Sequence, residues 1–448
     1  MGESWIVTTA APVQTPPDRT SAPRRVAWAS MVGTSLESFD FYVFAYFSAY
    51  FVGPLFFEPL GQIGGTALAF LTIAVAFVVR PIGAVIFGYM GDRLGRRTTL
   101  LWTIAIMGVS TGLIGALPTY AQAGWVGAVL LIVLRVAQGL SLGGEWGGSI
   151  LIATEHAEPR KRALYASIPQ LGSPVGTMLV ASIFLLLTTL VPDELSTWAW
   201  RIPFLLAFPF LTIAIYLRLA IDETPIFREA SRTRAITRVP FLEVLKSQPV
   251  AIVVATASAV LGIGSYFLMT TYTQAYGTET LGLSRSTVLN AALVGSILQL
   301  FTIPAFGFLA VRIGSAKVVA GGALGTALIA FPLYWVISIA TEPMYITAII
   351  LGGILPTASW AALGGLMADI FKPATAFTAL SFAYSMAAIA AGFAPSITQR
   401  FGIATDGAWW HPGVVLAAMS LVTVGGALAA VRLRTRLAQS DDPLVRTA

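Results

Sequence analysis

Five ionisable residues stand inside stretches otherwise apolar: Glu37, Asp40, Arg80, Arg135 and Glu145. A charge at mid-bilayer costs at least ~2.5–3.5 kcal/mol on insertion scales, so each needs a partner or a watery cavity. Glu37 and Asp40 are three residues apart, a spacing that puts two side chains on one helix face. That face is expected to look into a central cavity. Three acids and two bases leave one acid over, and a desolvated carboxylate without a partner takes up a proton. The chemistry this set implies is exchange: an arginine lets go of its acid to hold another anion, and the acid takes a proton. Asp40 is the expected proton-coupling acid, Glu37 the alternative, and Glu145 a third candidate. Arg135 is expected to compete for Asp40, and both Arg135 and Arg80 to hold an anionic group. For Arg80 and Glu145 a static ion pair that ties helices together stays open as the other reading.

The elements that position these charges follow from composition. Hydrophobic residues make up 56% of the 448 and charged residues 11%, against about 25% charged in soluble domains. Too few charges remain to cover such a chain in water. Apolar runs recur near 28–50, 66–90, 99–118, 124–154, 164–190, 200–220, 249–275, 287–311, 316–340, 343–368, 376–399 and 411–432. Runs of this length are helices, because backbone polar groups in hydrocarbon must be satisfied within the segment. The fold class expected is an all-α membrane protein of twelve transmembrane helices in two pseudo-symmetric six-helix bundles. Residues 1–23 read as a disordered tail, 24–220 as the first bundle, 221–248 as a linker, 249–434 as the second bundle and 435–448 as a second tail. With the N-terminus inside, 22 of the 27 Lys and Arg fall on the inner side and three on the outer. This asymmetry predicts a multi-pass protein of the cell's inner (plasma) membrane with both termini cytoplasmic.

The chemistry classes left out are as telling. There is no cysteine, and the two histidines, His156 and His411, are far apart. No metal cluster, thiolate nucleophile or phosphate-binding loop is legible, so no metal, no cofactor and no enzyme activity are expected. Basic residues spread over loops on one membrane face do not make a nucleic-acid surface.

A repeat sits between the helices. GYMGDRLGRR at Gly88–Arg97 returns 219 positions later as GFLAVRIGSAK at Gly307–Lys317, with Gly88, Arg93 and Gly95 matching Gly307, Arg312 and Gly314. Asp92 has become Val311. A shift of 214 brings Glu155 of EHAEPRKR onto Asp369 and Pro159 onto Pro373. Two offsets near half the chain length imply two copies of one unit, a mark of carriers built from repeats.

GYMGDRLGRR resembles the loop between helices 2 and 3 of the major facilitator superfamily, and Leu131, Arg135, Gln138 and Gly139 resemble its helix-4 motif. LESFDF at Leu36–Phe41, RPIG at Arg80–Gly83, RVAQGLSLGGEWGG at Arg135–Gly148 and DETPIFRE at Asp222–Glu229 are similar to the metabolite:proton symporters, carriers of shikimate, ketoglutarate, citrate and proline/betaine. PQLGSPVG at Pro169–Gly176 looks like that family's helix 5. Helix 1 departs from it at Ser38-Phe39, and the loop after Asp369 lacks two expected arginines. The resemblance implies secondary active transport by alternating access: proton-coupled uptake of a small organic acid or zwitterion, by a monomer. A proton-driven efflux carrier on the same fold is the alternative. It also implies a cytoplasmic gate made of Gly91, Asp92, Arg93, Gly95, Arg96 and Arg97, faced by Glu155, Arg162 and Asp369. The second half buries no comparable charge, so its polar and aromatic residues Tyr266, Gln299 and Trp360 are expected to touch the uncharged part of the solute.

Overall fold

The computed structural model describes residues 23–232 and 240–439. The two expected tails, apart from their innermost residues, and the centre of the linker lie outside these. Twelve long helices account for nearly everything described. They are α1 (Pro23–Phe47), α2 (Gly61–Arg93), α3 (Arg96–Ile114), α4 (Trp125–Glu155), α5 (Pro159–Leu190), α6 (Leu195–Leu219), α7 (Pro249–Thr280), α8 (Arg285–Ile313), α9 (Ser315–Ser338), α10 (Glu342–Ala368), α11 (Pro373–Ala404) and α12 (His411–Gln439). From α2 onward each is long and apolar enough to cross a bilayer. The first helix carries Arg24, Arg25, Glu37 and Asp40, and it crosses by turning those acids inward. Its other buried face, from Val26 to Phe47, packs on α4, α5 and α6.

Exposed leucine, isoleucine, valine and phenylalanine side chains cover the outside, Val78, Leu185, Leu190, Phe301 and Leu328 among them. In water such a surface would aggregate; in lipid it costs nothing. The interior is packed through small residues. A Cβ on Gly83 would fall 1.9 Å from the Leu140 carbonyl oxygen, and one on Gly143 would fall 2.3 Å from both Ala84 N and Arg80 O. Glycine is therefore what lets the backbones of α2 and α4 touch. One apolar cluster fills the first half around Phe39, Phe44, Phe47, Trp200 and Phe204, and another the second half around Leu261, Leu333, Tyr334 and Leu416. A third, from Trp146 and Ile150 to Phe377 and Tyr384, joins the halves.

The α2–α3 and α8–α9 turns keep the geometry of the repeat. Gly95 has φ +109° and Gly314 φ +96°, a region that favours glycine. Both turns lie on the face where α1 begins and α12 ends, called here the terminal face.

Candidate functional site

Between the halves lies a cavity of about 160 Å³, room for at least about five waters at ~30 Å³ each. Helices of both halves wall it. Toward the terminal face its floor is aromatic: Trp146 stacks on Tyr384 with centroids 3.8 Å apart, and Trp360 leans on both. Gln170 fastens this floor, accepting from Trp146 Nε1 at 2.8 Å and donating to the Trp360 carbonyl at 2.9 Å. Toward the opposite face Phe41 and Phe77 of the first half meet Phe267 of the second at 5.5 and 5.7 Å, and Tyr42 meets Tyr266 at 5.2 Å.

One charged pair lies on the cavity wall. Arg80 Nη2 is 3.1 Å from Glu37 Oε1, and its guanidinium lies over the Tyr384 ring at 4.8 Å. Both residues line the cavity, as do Tyr266, Gln299 and Trp360. Asp40, Arg135 and Glu145 do not, which differs from the expectations that Asp40 shares the cavity face and that Arg135 holds an anion there.

Asp40 and Glu37 are not both turned to the cavity. Three residues along a helix leave side chains about 60° apart, and that offset sends Asp40 into the first bundle. Its Oδ1 accepts from Thr111 Oγ1 at 2.6 Å and from the Gln138 amide, while Oδ2 is buried with no partner among the described residues. Arg135 reaches it only through Gln138. Its Nη1 donates to Gln138 Oε1 at 2.9 Å, its Nε to the Thr72 carbonyl at 3.2 Å, and its guanidinium lies 3.7 Å from the Phe44 ring centroid. A solute in the cavity cannot touch Arg135 without displacing this packing.

Glu145 is paired with Arg218 at 3.0 Å, and both are buried. Arg218 is one of the 22 basic residues assigned to the inner side from the sequence. Because α6 runs on to Leu219, its side chain folds back into the bundle, where Ser149 at 3.0 Å and Ser30 at 3.4 Å also bind it. Gly33 makes room: a Cβ there would fall 2.6 Å from the guanidinium. Two of the three acids are thus paired directly with arginines, while Asp40 meets Arg135 only through Gln138.

The terminal face is shut by the other constellation. Asp92 caps the start of α11, accepting from Phe377 N at 3.2 Å, Thr378 N at 3.0 Å and Thr378 Oγ1 at 2.7 Å. It also pairs with Arg96 at 3.3 Å. Arg96 holds Glu155 at 3.4 Å, the Gly91 carbonyl at 2.8 Å and the Pro373 carbonyl at 3.0 Å. Gly91 leaves room for the Phe377 ring, which would lie 2.3 Å from a Cβ. Gly147 and Gly148 admit Ser381 and Phe377 in the same way. Asp369 pairs with Arg434 at 3.3 Å. Burial pushes the Asp369 carboxyl up, against the pull of Arg434 and Arg162. Arg97 ties down the end of α6 through the Leu219 carbonyl at 2.8 Å. Arg93 stands apart, exposed and bonded to Tyr89. It follows Asp92 directly, about 100° round the helix on its outer side, so it takes no part in the closed contact.

The linker begins as part of this lock rather than as a plain loop. The Glu223 carboxylate accepts from the backbone N–H of Arg96 at 3.0 Å and of Arg97 at 3.1 Å, which caps α3. Burial pushes the Glu223 carboxyl up, while its backbone donors and Arg96 oppose that shift. Phe227, four residues further on, lies under the Arg96 guanidinium at 5.4 Å. Among the described residues nothing lies within 4 Å of a Cβ on Gly314 at the second-half turn.

The family model described as the Major Facilitator Superfamily matches residues 41–395. The chain is 36% identical to an inner membrane metabolite transport protein of Escherichia coli, YhjE, over 89% of this chain and 92% of that one. It is 32% identical to the shikimate transporter of the same organism, with 91% and 94% covered. It is 30% identical to the glycine betaine/proline/ectoine/pipecolic acid transporter OusA of Dickeya dadantii, with 84% and 76% covered. In fold it is similar to the proton:xylose symporter XylE at a TM-score of 0.73 and 18% identity, covering 92% of this chain and 95% of that one. The chain belongs to the major facilitator superfamily, as a multi-pass secondary transporter and not an enzyme.

Proposed function

We propose that the protein carries a small carboxylate-bearing solute into the cell together with protons, as a monomer, with the terminal face toward the cytoplasm of an inner membrane. The observation that carries this reading is the Arg80–Glu37 pair on the cavity wall. An incoming carboxylate competes with Glu37 for Arg80. Once released, Glu37 has no cation and stands a turn from Asp40, whose Oδ2 is already without a partner. Two carboxylates so close in a low-dielectric setting do not both stay ionised, and they titrate as a unit. The pair takes up a proton, and Arg135 and Gln138 hold Asp40 in place for it. Names of relatives that carry shikimate or betaines support a carboxylate solute. The excess of basic residues on the terminal side supports the orientation.

Uptake into vesicles tests this, run with and without an inside-alkaline pH gradient over a panel of small carboxylates and betaines. Accumulation of a carboxylate that collapses with the gradient is expected. Extrusion of solute against protons, or uptake indifferent to the gradient, contradicts the proposal.

A further inference from the structure

The cavity has a side lobe whose chemistry differs from that of the charged wall. It lies in the second half among α7, α8 and α10, and it shares Tyr266, Thr270, Gln299 and Thr357 with the main cavity. No charged residue lines it, so it cannot read a carboxylate or an ammonium by charge.

Its hydrogen-bonding capacity is particular. Thr270, Ser296, Thr302 and Thr357 each donate to a carbonyl one turn back in their own helix, at 2.7, 2.9, 3.2 and 2.7 Å. Their hydroxyl protons are spent, and only lone pairs remain for the lobe. Gln274 and Gln299 are the reverse case. Among the described residues neither side-chain amide has a hydrogen-bond partner, and both border the lobe. Each presents N–H donors and a carbonyl acceptor. The lobe therefore asks for a ligand that donates to the hydroxyl oxygens and accepts from the amides. Hydroxyl groups do both. A quaternary ammonium has neither donor nor acceptor, and an alkyl chain leaves the amides unpaired.

The geometry points to Gln274 and Gln299 as specificity-determining residues that select solutes bearing hydroxyl groups on the part remote from the carboxylate. This rests on the reading above, in which Arg80 holds the carboxylate. The solute class is then a hydroxylated carboxylic acid, anchored by charge on the first half and sorted by neutral hydrogen bonds on the second.

Calorimetric binding to the purified protein tests it with two matched pairs of acids: gluconate against hexanoate, and 3,4,5-trihydroxycyclohexanecarboxylate against cyclohexanecarboxylate. The wild type should bind at least one hydroxylated acid about tenfold or more tighter than its deoxy partner, the effect of a hydrogen bond whose loss strands a polar group. Gln274→Met and Gln299→Met keep volume and should each cut that ratio about tenfold, the hydroxylated acid losing its amide partner while the deoxy acid no longer strands one. Equal binding within both pairs, or ratios untouched by both substitutions, overturns the lobe's role and leaves the carboxylate reading standing. Loss of all carboxylate binding in Arg80→Met is expected. Unchanged binding there overturns the carboxylate reading, and the lobe proposal falls with it.

Discussion

Asp92→Asn gives the sharpest perturbation of the closed face. Asparagine keeps the shape of the side chain but loses its charge, and one of its two terminal groups becomes a donor. Asp92 accepts three hydrogen bonds at the start of α11 and pairs with Arg96 at 3.3 Å. The amide oxygen can keep some of these contacts, but its –NH2 then meets another donor. A hydrogen bond to a charged group contributes ~1.5–3 kcal/mol, and an anion at a helix N-terminus adds ~0.3–1 kcal/mol. A net loss of about 2–3 kcal/mol follows, specific to the shut state because water solvates either side chain once the face opens. That shifts the shut-to-open ratio by about 30- to 140-fold. The chain has no cysteine, so Ser381→Cys supplies a lone thiol. It would sit under the shut face, where Ser381 is buried against Gly147. Labelling of that thiol by an impermeant maleimide from the side of the terminal face should run tens of times faster when Asp92→Asn is added. Equal rates in a folded, membrane-inserted protein would refute the claim that Asp92 holds this face shut.

Three further outcomes follow from packing and burial. Arg218→Leu alone strands the buried Glu145 and should cost about 3–5 kcal/mol, while adding Glu145→Leu should recover much of it; thermal unfolding in detergent measures both. Gly83→Ala forces a Cβ to 1.9 Å from a backbone oxygen of α4, so a loss of about 3 kcal/mol or more is expected, and an unchanged melting temperature would contradict the packing. Because the Glu223 carboxyl is raised by burial, its contribution to stability is complete below the ordinary carboxylate range and fades as pH rises through the raised value. The melting-temperature advantage of wild type over Glu223→Gln should therefore shrink with rising pH, and an advantage that grows instead would reverse the sign.

The membrane made the fold legible. All twelve helices announce themselves as apolar runs because lipid leaves the backbone no other choice, and the half-chain repeat at Gly95 and Gly314 marks two turns of one geometry. What helix periodicity could not fix was the direction of single side chains. Asp40 is displaced by a fraction of a turn from the face of Glu37, enough to leave the cavity for the bundle core. Arg218 sits at a helix end, where a long basic side chain equally well reaches water or folds back, and only Gly33 and Glu145 across the bundle decide. Trp146 and Gln170 were visible only as parts of motifs; their joint fastening of the cavity floor depends on contact between helices distant in sequence. Glu223 was visible only as part of DETPIFRE at the start of a charged linker; its capping role depends on the start of α3 lying beside it.

The central claim is that solute and proton change partners on one pair of side chains. The direct measurement is proton uptake on solute binding, with purified protein in weakly buffered detergent solution titrated with a bound carboxylate. The account predicts that the solution turns alkaline as the wild type fills, with a proton taken for each solute bound. It predicts no such change in Glu37→Gln, which should still bind the carboxylate because Arg80 is free to hold it. Binding without proton uptake in the wild type, or undiminished uptake in Glu37→Gln, contradicts it.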